Sequence, residues 1–375
     1  MQLSVIGAGF AAITALKTLR KTLPNADITL IAPETTFVFY PSLIWIPAEL
    51  RSREDVTVDI TPLLKKLQVH HHVAAATGVS ADGRLVTTTA GEVENDGLII
   101  ASGGRFLQKL PGIEHAITPC AGVDAAEQIK QKLDAMQGGS IAIGFGGNPK
   151  EPSAVRGGPM FEMLFGIDRL LRQQGRRDQF EITFFNPAKR PGNRLGEKAV
   201  DRLLERMEKL DIHTELGAKP VSFSATEVET ERTRFAADLI LFMPGMTGPA
   251  WLADTQLPQS EGGLIQADEH ARVAGMERVY VAGDSGSYPG PEWAPKQAHM
   301  ADLIAKAAAR NLAAEINGQP ADHRFKWELV CIMDMLDRGV LVFRNEKHQF
   351  ITPPCRLLHW AKRGFEQFYL RGLKG

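Results

Sequence analysis

The sequence predicts an α/β fold in which two Rossmann-like dinucleotide-binding domains are followed by a C-terminal amphipathic, membrane-associating region. Two glycine-rich turns that each follow a strand, and an amphipathic last helix, predict it. At 375 residues the chain is long enough for two or three domains. The predicted boundaries are 1–110 with 235–320 for the first domain, 111–234 for the second and 321–375 for the C-terminal region.

The composition excludes several classes of protein. Hydrophobic residues make up 44% of the chain and the formal net charge is -1, so charge gives no reason to expect a nucleic-acid partner. No apolar run reaches about 18 residues and the first strand begins at residue 2, so we expect a protein without a leader or membrane span, kept in the cytoplasm. Three cysteines, Cys120, Cys331 and Cys355, are too few for a disulfide scaffold.

The first glycine turn lies between a strand at 2–6 and a helix at 12–23. Gly7 permits the tight turn, Gly9 lets a backbone approach a pyrophosphate, and small Ala12 lets the helix pack close to the strand. The turn therefore predicts a dinucleotide site, with a purely structural turn as the alternative.

Further candidate ligand contacts follow later strands. Glu34 comes after the second strand, where an acid can hold a ribose hydroxyl; an exposed loop carboxylate is the alternative. Two buried strands end in small residues, at Ala101, Ser102 and Gly103 and at Gly283 with Asp284. The small residues allow close approach of a ligand, and the Asp284 carboxylate can accept ribityl or ribose hydroxyls unless it only caps a turn.

The second glycine turn, after a strand at 140–144, departs from the first. It runs into a Pro-containing insertion at 148–152, and the helix opens only near Pro159. The following strand at 181–185 ends in Asn186 rather than an acid. The insertion and the missing acid both argue against tight NAD binding.

Lys296 is predicted to lie in the first turn of a long helix that Pro295 opens and that runs to Asn311. The helix dipole already places partial positive charge there, so a lysine at this point suggests an anion. An anionic reduced flavin ring would supply one, and a solvated lysine is the alternative.

His70, His71 and His72 form a close group of metal-ligand types. They fall on a predicted strand, whose alternation sends the outer two to one face and the middle one to the other. We therefore predict no metal site.

The last helix, predicted over 355–374, is amphipathic. Its apolar face consists of Leu357, Leu358, Ala361, Phe365, Phe368 and Tyr369. Its basic residues, mostly on the remaining surface, are Arg356, Lys362, Arg363, Arg371 and Lys374. This pattern predicts peripheral contact with a membrane interface, and a helix docked on its own core or on a twin subunit is the alternative.

Taken together, these stretches resemble the sulfide:quinone oxidoreductases and the related flavocytochrome sulfide dehydrogenase flavoproteins, of the glutathione-reductase-like class. The matching stretches are the first glycine turn, Phe39-Tyr40-Pro41-Ser42 with Trp45, Arg53-Glu54-Asp55, Ala101-Ser102-Gly103, Ala282-Gly283-Asp284, Pro295-Lys296, the run from Cys331 to Gly339 with Phe343, and the tail from His359 to Leu370. The last two stretches are the specific ones.

The resemblance implies FAD, extended between the first glycine turn and Asp284, with Lys296 near the flavin pyrimidine edge. It implies a C-terminal region on the inner face of the cell membrane, with a quinone pocket lined by Phe343 and Phe350. It also implies that sulfide gives electrons through a cysteine pair to the flavin, which passes them to quinone. Association into a homo-oligomer stays open.

One half of the sulfur chemistry departs from the family. Cys331 matches a redox cysteine and Cys120 a third cysteine of some members, but Arg156 stands where the partner cysteine is expected. Either Cys120 and Cys331 form a substitute pair, or the donor is not sulfide. Arg156 favours an anionic donor, unless it simply pairs with Glu151 or Glu162.

The sequence thus predicts an FAD-dependent oxidoreductase that transfers electrons from sulfide or another sulfur compound to membrane quinone. A type II NADH dehydrogenase-like enzyme is one alternative, because it shares the fold, the FAD and the tail. A non-catalytic flavoprotein redox sensor is the other.

Overall fold

Two parallel β-sheets form the body of the protein, of which the computed structural model describes residues 1–374. The first sheet has five strands, in the order Val279–Val281, Gly97–Ile100, Gln2–Ile6, Asp27–Ala32 and Val69–Val73. All neighbours in it run parallel, as expected for a sheet covered on both faces.

Helices made largely of small residues cover this sheet. Phe10–Thr22 begins directly after the first glycine turn and packs against the Ala-rich Ala298–Ile316. Ala12 is completely buried, consistent with the close helix–strand packing that its size permits.

The second sheet also has five parallel strands, in the order Ala116–Ile117, Leu239–Met243, Gly139–Phe145, Phe180–Asn186 and His213–Leu216. The helices Val123–Ala135, Gly158–Gln173 and Glu197–Lys209 belong to this half of the chain. Leu239–Met243 pairs within this sheet, so the strand lies with the second unit although the predicted boundary at 235 places it in the first.

Short antiparallel strands and two short helices complete the body. The strands are Thr36–Val38 with Thr57–Asp59, Ala76–Val79 with Leu85–Thr88 and Gly91–Glu94, Arg105–Phe106 with Met246–Thr247, and Pro220–Phe223 with Glu227–Thr230 and Arg234–Ala236. One further parallel pair joins Ile265–Gln266 to Gly286–Ser287, and the short helices are Arg53–Val56 and Thr61–Lys66.

The C-terminal region is an antiparallel sheet followed by one helix. Glu328–Asp334, Gly339–Asn345 and Gln349–Ile351 form the sheet. The tail helix, Arg356–Arg371, is shorter than the predicted 355–374 and packs against this sheet. No helix within residues 1–374 is long and apolar enough to span a bilayer.

Candidate active site

The first glycine turn leaves open space where a ligand backbone can lie. Gly7 has a φ of 105°, and a Cβ there would stand 2.4 Å from the Ala101 carbonyl oxygen, so only glycine fits between the two strand ends. A Cβ on Gly9 would meet nothing within 4 Å. The tight position and the open one are those that the sequence predicts for a pyrophosphate cradle.

A cavity of about 400 Å³ opens beside this turn. Gly7, Gly9, Ser102 and Glu34 line it, so the structure brings together four predicted cofactor contacts. The buried Ser102 hydroxyl has no hydrogen-bond partner within residues 1–374, a state that a bound ligand would relieve.

FAD fits this part of the chain. The open space at Gly9, the unpartnered Ser102 hydroxyl and the carboxylate of Glu34 suit the pyrophosphate and hydroxyl groups of a dinucleotide. Trp251 also lines the cavity and offers a ring face to a planar base. Sequence reasoning missed Trp251, because it lies in a short 3-10 turn, Ala250–Asp254, that carries no motif.

Lys296 lies just before the long helix, which begins at Ala298, so the prediction of a lysine inside its first turn is wrong. Gln297 occupies the N-cap position, and the helix continues past Asn311 to Ile316. Lys296 Nζ donates hydrogen bonds to the carbonyl oxygens of Asp284 (3.2 Å) and Gly286 (2.8 Å). The lysine is thereby fixed to the turn that follows the last strand of the first sheet.

Burial lowers the pKa of Lys296 to about 8, although the carboxylates of Asp284 and Glu151 act in the opposite direction. Arg156 and Arg194 add to the lowering. Four charged side chains therefore surround Lys296, and its ammonium group is more easily deprotonated than that of a surface lysine.

Arg156 forms an ion pair with Asp284, so neither predicted alternative partner, Glu151 or Glu162, is its partner. Glu151 instead accepts a hydrogen bond from the Ser153 hydroxyl at 2.6 Å. The ion pair places Arg156 at the short turn Gly283–Ser285, which follows the strand Val279–Val281 and holds two predicted cofactor contacts.

Two further groups lie around Arg156. Burial raises the pKa of Cys120 to about 11, and the nearby Arg156 guanidinium opposes this. Tyr40 is close to Arg156, Cys120 and Asp284, and burial raises the pKa of its phenol. Tyr40 also lines the cofactor cavity, so Arg156 lies close to the wall of that cavity.

The three cysteines are free thiols in this structure, so the predicted substitute pair of Cys120 and Cys331 is not disulfide-bonded here. Burial raises the pKa of Cys331 to about 12, with a further increase from Glu162. The Glu162 carboxylate also raises the pKa of Cys120. Both thiols therefore lie near one acid and are protonated at neutral pH.

A buried polar network lies near Cys331 and includes Asp334, which is on the same strand. Lys362 forms an ion pair with Glu162, which also accepts a hydrogen bond from the Asp334 backbone N–H at 2.8 Å. The Asp334 carboxylate accepts from Trp45 Nε1 at 2.9 Å and bonds His359 Nδ1 at 2.8 Å. Burial disfavours the charge on Lys362, but Glu162 outweighs it and raises the pKa of Lys362.

This network corrects the predicted faces of the tail helix. Lys362, predicted among the outward basic residues, is buried, and Tyr369, predicted on the outer apolar face, packs against Phe10, Phe37 and Phe39. Four large apolar side chains point outward, with exposed fractions of 75% at Leu357, 61% at Trp360, 57% at Phe365 and 77% at Phe368, beside the exposed Arg356, Gln367 and Arg371. The helix thus docks on its own core by its polar face and exposes an apolar face, the reverse of an ordinary surface helix.

The predicted quinone contacts lie on the adjacent antiparallel sheet. Phe343 and Phe350 are cross-strand neighbours whose rings stack with centroids 5.2 Å apart. Phe343 is half-buried and Phe350 half-exposed. They form an aromatic surface in the C-terminal region.

The second glycine turn has no comparable open space. A Cβ on Gly146 would meet the Phe242 ring at 3.3 Å, and one on Gly147 would meet Val155 at 3.8 Å. Asn186 closes the neighbouring strand end by donating to the Phe145 carbonyl oxygen at 2.8 Å. Side chains of the chain itself therefore lie close to both glycines of this turn, unlike at Gly9.

Residues 1–374 contain no group of three or more histidine, cysteine or acidic side chains placed to hold a metal. His71 Nε2 lies 2.9 Å from the Ala32 carbonyl oxygen, and His72 Nε2 lies 3.0 Å from the Thr88 hydroxyl. These two histidines are thus engaged in contacts within the first unit.

Comparison with known proteins gives the chain its relatives. The family model described as pyridine nucleotide-disulphide oxidoreductase matches residues 1–302. The sulfide-quinone reductase of Aquifex aeolicus (strain VF5) is 24% identical over 389 residues, covering 98% of this chain and 89% of that protein. A type II NADH:quinone oxidoreductase of Staphylococcus aureus (strain bovine RF122 / ET3-1) is 23% identical over 361 residues, covering 90% and 86%.

The fold has a solved counterpart. The X-ray structure of the sulfide:quinone oxidoreductase from Aquifex aeolicus superposes with a TM-score of 0.91 at 23% identity, covering 100% of this chain and 91% of that one. These findings confirm the predicted α/β fold class and the resemblance to sulfide:quinone oxidoreductases. They also confirm FAD as the cofactor and a flavin-dependent oxidoreductase as the class of enzyme.

Proposed function

The chain belongs to the pyridine nucleotide-disulphide oxidoreductase family, and on that premise we propose that it transfers electrons from sulfide or another small sulfur compound to membrane quinone. The observation that carries this proposal is the tail helix, which exposes an apolar face while its polar face is fastened beside Cys331. A sulfur group thus lies under a helix whose opposite face is suited to lipid.

FAD, when bound, supplies the chemistry of accepting two electrons from one substrate and passing them to another. We assign its binding to the backbone around Gly7, Gly9, Ala12, Ala101, Ser102, Gly103 and Gly283, and to the side chains of Glu34 and Asp284. Lys296, with its pKa lowered to about 8, is assigned to hold a proton and a positive charge beside Asp284.

On the donor side we assign Cys120 and Cys331. Because burial keeps both thiols protonated, each must lose a proton before it can act as a nucleophile. Glu162, which is close to both and is hydrogen-bonded to Lys362, holds negative charge near them. Each thiol is therefore a weak nucleophile until it loses that proton.

On the acceptor side we assign Phe343 and Phe350, whose stacked rings offer apolar contact to a quinone. The exposed Leu357, Trp360 and Phe368 would enter the headgroup region of the bilayer. We propose peripheral attachment through the tail helix, on the cytoplasmic side of the cell membrane.

NADH as the donor is the second candidate, supported by the similarity to a type II NADH:quinone oxidoreductase. The filled second glycine turn argues against it, since Phe242 and Val155 occupy the space beside Gly146 and Gly147. An NAD site would need this segment to move away.

Anaerobic mixing of the FAD-loaded protein with sulfide or NADH, followed by quinone in lipid vesicles, tests the proposal. We expect flavin bleaching by sulfide within seconds, none by NADH, and reoxidation by the vesicles. The Cys331→Ser variant should lose at least about 100-fold in the rate of sulfide-dependent bleaching, as expected when a nucleophile is removed. Rapid bleaching by NADH, or a wild-type rate in Cys331→Ser, would contradict the assignment.

A tail variant separates the two halves of the reaction. The double variant Leu357→Ser, Phe368→Ser replaces two exposed side chains and leaves the buried network untouched. It should keep the bleaching rate and lose reoxidation by vesicle quinone, while a water-soluble short-chain quinone still reoxidises it. Equal reoxidation by the vesicles would remove the tail helix from the membrane contact.

A further inference from the structure

The surroundings of Arg156 point to the chemical class of the donor. The guanidinium group lies largely inside the protein, with a side-chain exposure of 18%. It donates a hydrogen bond to the Asp284 carboxylate, and the Cys120 thiol also lies within its reach. An arginine carries five N–H donors, so most of them are unused by the protein itself.

The unused donors of Arg156 can reach a ligand. They are not among the sealed, unpartnered polar atoms of the core, so they face accessible space. Tyr40, beside Arg156, is 38% exposed and lines the cofactor cavity, which gives this space an opening. A partly desolvated guanidinium with open donors is suited to bind an anion.

The charges around this point also leave room for an anion. Arg156, Arg194 and Lys296 are cations, and the carboxylates around Lys296 are Glu151 and Asp284. Glu162 also lies near Cys120, but its charge is paired with that of Lys362. Three cations against two carboxylates leave an excess of one positive charge. The Cys120 thiol, protonated at neutral pH, does not balance it.

We propose that Arg156, together with the Tyr40 hydroxyl and the Cys120 thiol, forms the donor pocket, and that it selects a small inorganic sulfur anion over a neutral thiol. This inference rests on the proposed function and narrows its substrate class. Arg156 binds the charge of the donor, Tyr40 donates a hydrogen bond to it, and Cys120 brings sulfur to the same pocket.

Donor selectivity tests the pocket. The FAD-loaded wild type and the variants Arg156→Gln and Arg156→Lys are mixed anaerobically with sulfide, with sulfite and with the neutral thiol dithiothreitol. Loss of one charged hydrogen-bond partner should raise the half-saturating concentration of the two anions about 10- to 100-fold in Arg156→Gln, with a smaller rise in Arg156→Lys. The rate with dithiothreitol should change less than about twofold.

Arg190→Gln is the matched control, since Arg190 is exposed and pairs with Asp201 rather than with any of these groups. It should bind both anions like the wild type. FAD content, read from the ratio of flavin to protein absorbance, identifies a variant that has lost its cofactor. If Arg156→Gln loses FAD, the half-saturating concentrations are compared between wild type and Arg156→Lys, which keeps the charge opposite Asp284.

Two results would overturn the inference. If Arg156→Gln weakens all three donors equally, the pocket does not select by charge. If it instead changes the flavin midpoint potential and leaves donor binding unchanged, the positive charge serves the reduced flavin.

The proposed function can fail separately. If no sulfur compound reduces the flavin, that function is wrong, and the anion pocket is then judged by titrating the oxidised protein with nitrate and following the flavin spectrum. Equal nitrate affinity in wild type and Arg156→Gln would reject the pocket as well.

Discussion

The two glycine turns of this chain begin alike and end differently. A Cβ on Gly7 would stand 2.4 Å from the Ala101 carbonyl oxygen, and one on Gly144 would stand 2.5 Å from that of Phe185. Two residues further on, Gly9 faces open space and Gly146 faces the Phe242 ring. Gly7 and Gly144 are therefore required by strand packing in both units. Gly9 and Gly146 differ in the space beside them, and only Gly9 leaves room for a ligand.

The cause lies in the chain that follows each turn. After Gly9 the helix starts at once, at Phe10, whereas after Gly147 an irregular segment intervenes until the helix starts at Gly158. Asn148 fixes that segment by donating to the carbonyl oxygens of Met246 (2.9 Å) and Gly262 (3.0 Å). The second unit thus has the same strand packing as the first, but side chains and an irregular segment lie beside its glycine turn.

Substitution at the two turns should show the largest difference. Gly9→Val should weaken FAD binding at least about 100-fold, because its methyl groups would occupy the open space that suits a pyrophosphate. The backbone tolerates the change, since Gly9 has φ -86° and ψ -167°. Quenching of FAD fluorescence on binding to the apoprotein measures the affinity.

Gly146→Ala is the control at the second turn. It adds a Cβ 3.3 Å from the Phe242 ring, which has only to yield slightly, so the FAD affinity should stay within about twofold of wild type. A loss of FAD binding in Gly146→Ala similar to that in Gly9→Val would mean that the second turn takes part in binding the cofactor.

Local sequence signals predicted the two units and the cofactor cradle. Gly7, Gly9 and Glu34 lie within one strand–turn–helix–strand stretch, so their spacing alone brings them to one cavity. The difference between the second turn and the first could also be predicted, because the insertion at 148–152 and Asn186 in place of an acid are both read directly from the sequence. The start of the long helix was missed because Pro295 is compatible with a first helical position.

Contacts between distant parts of the chain could not be predicted. Arg156 and Asp284 are 128 positions apart, and Glu162 and Lys362 are 200 apart. No local pattern pairs such charges. Helical periodicity gave the apolar face of the tail helix, but it could not show that Lys362 points inward, because that depends on Glu162 in another unit.

Substitutions at the strand ends next to the two turns should have different effects. Asn186 lies at the strand end of the second unit. Asn186 is buried, donates to the Phe145 carbonyl oxygen at 2.8 Å and accepts from the Ala188 N–H at 2.9 Å. Asn186→Ala leaves both groups unpaired, so it should cost about 1–3 kcal/mol of stability. Thermal denaturation should show a Tm lower by several degrees, with FAD affinity unchanged. An unchanged Tm together with weaker FAD binding would instead assign Asn186 to the cofactor.

Glu34 holds the corresponding position in the first unit, and its substitution should give the smallest effect. It should change the FAD affinity and not the Tm, the reverse of Asn186→Ala. Glu34 is exposed and lines the cavity beside Gly7 and Gly9, where its carboxylate is placed to accept ribose hydroxyls. Glu34→Gln keeps the shape and removes the charge, so FAD affinity should fall about three- to tenfold, the value of one ordinary hydrogen bond. The Tm of the apoprotein should not change, because the side chain is in solvent. Apoprotein that melts at a lower temperature while binding FAD as tightly as wild type would show that Glu34 stabilises the loop and does not bind the cofactor. Glu34 and Asn186 would then both have a structural role.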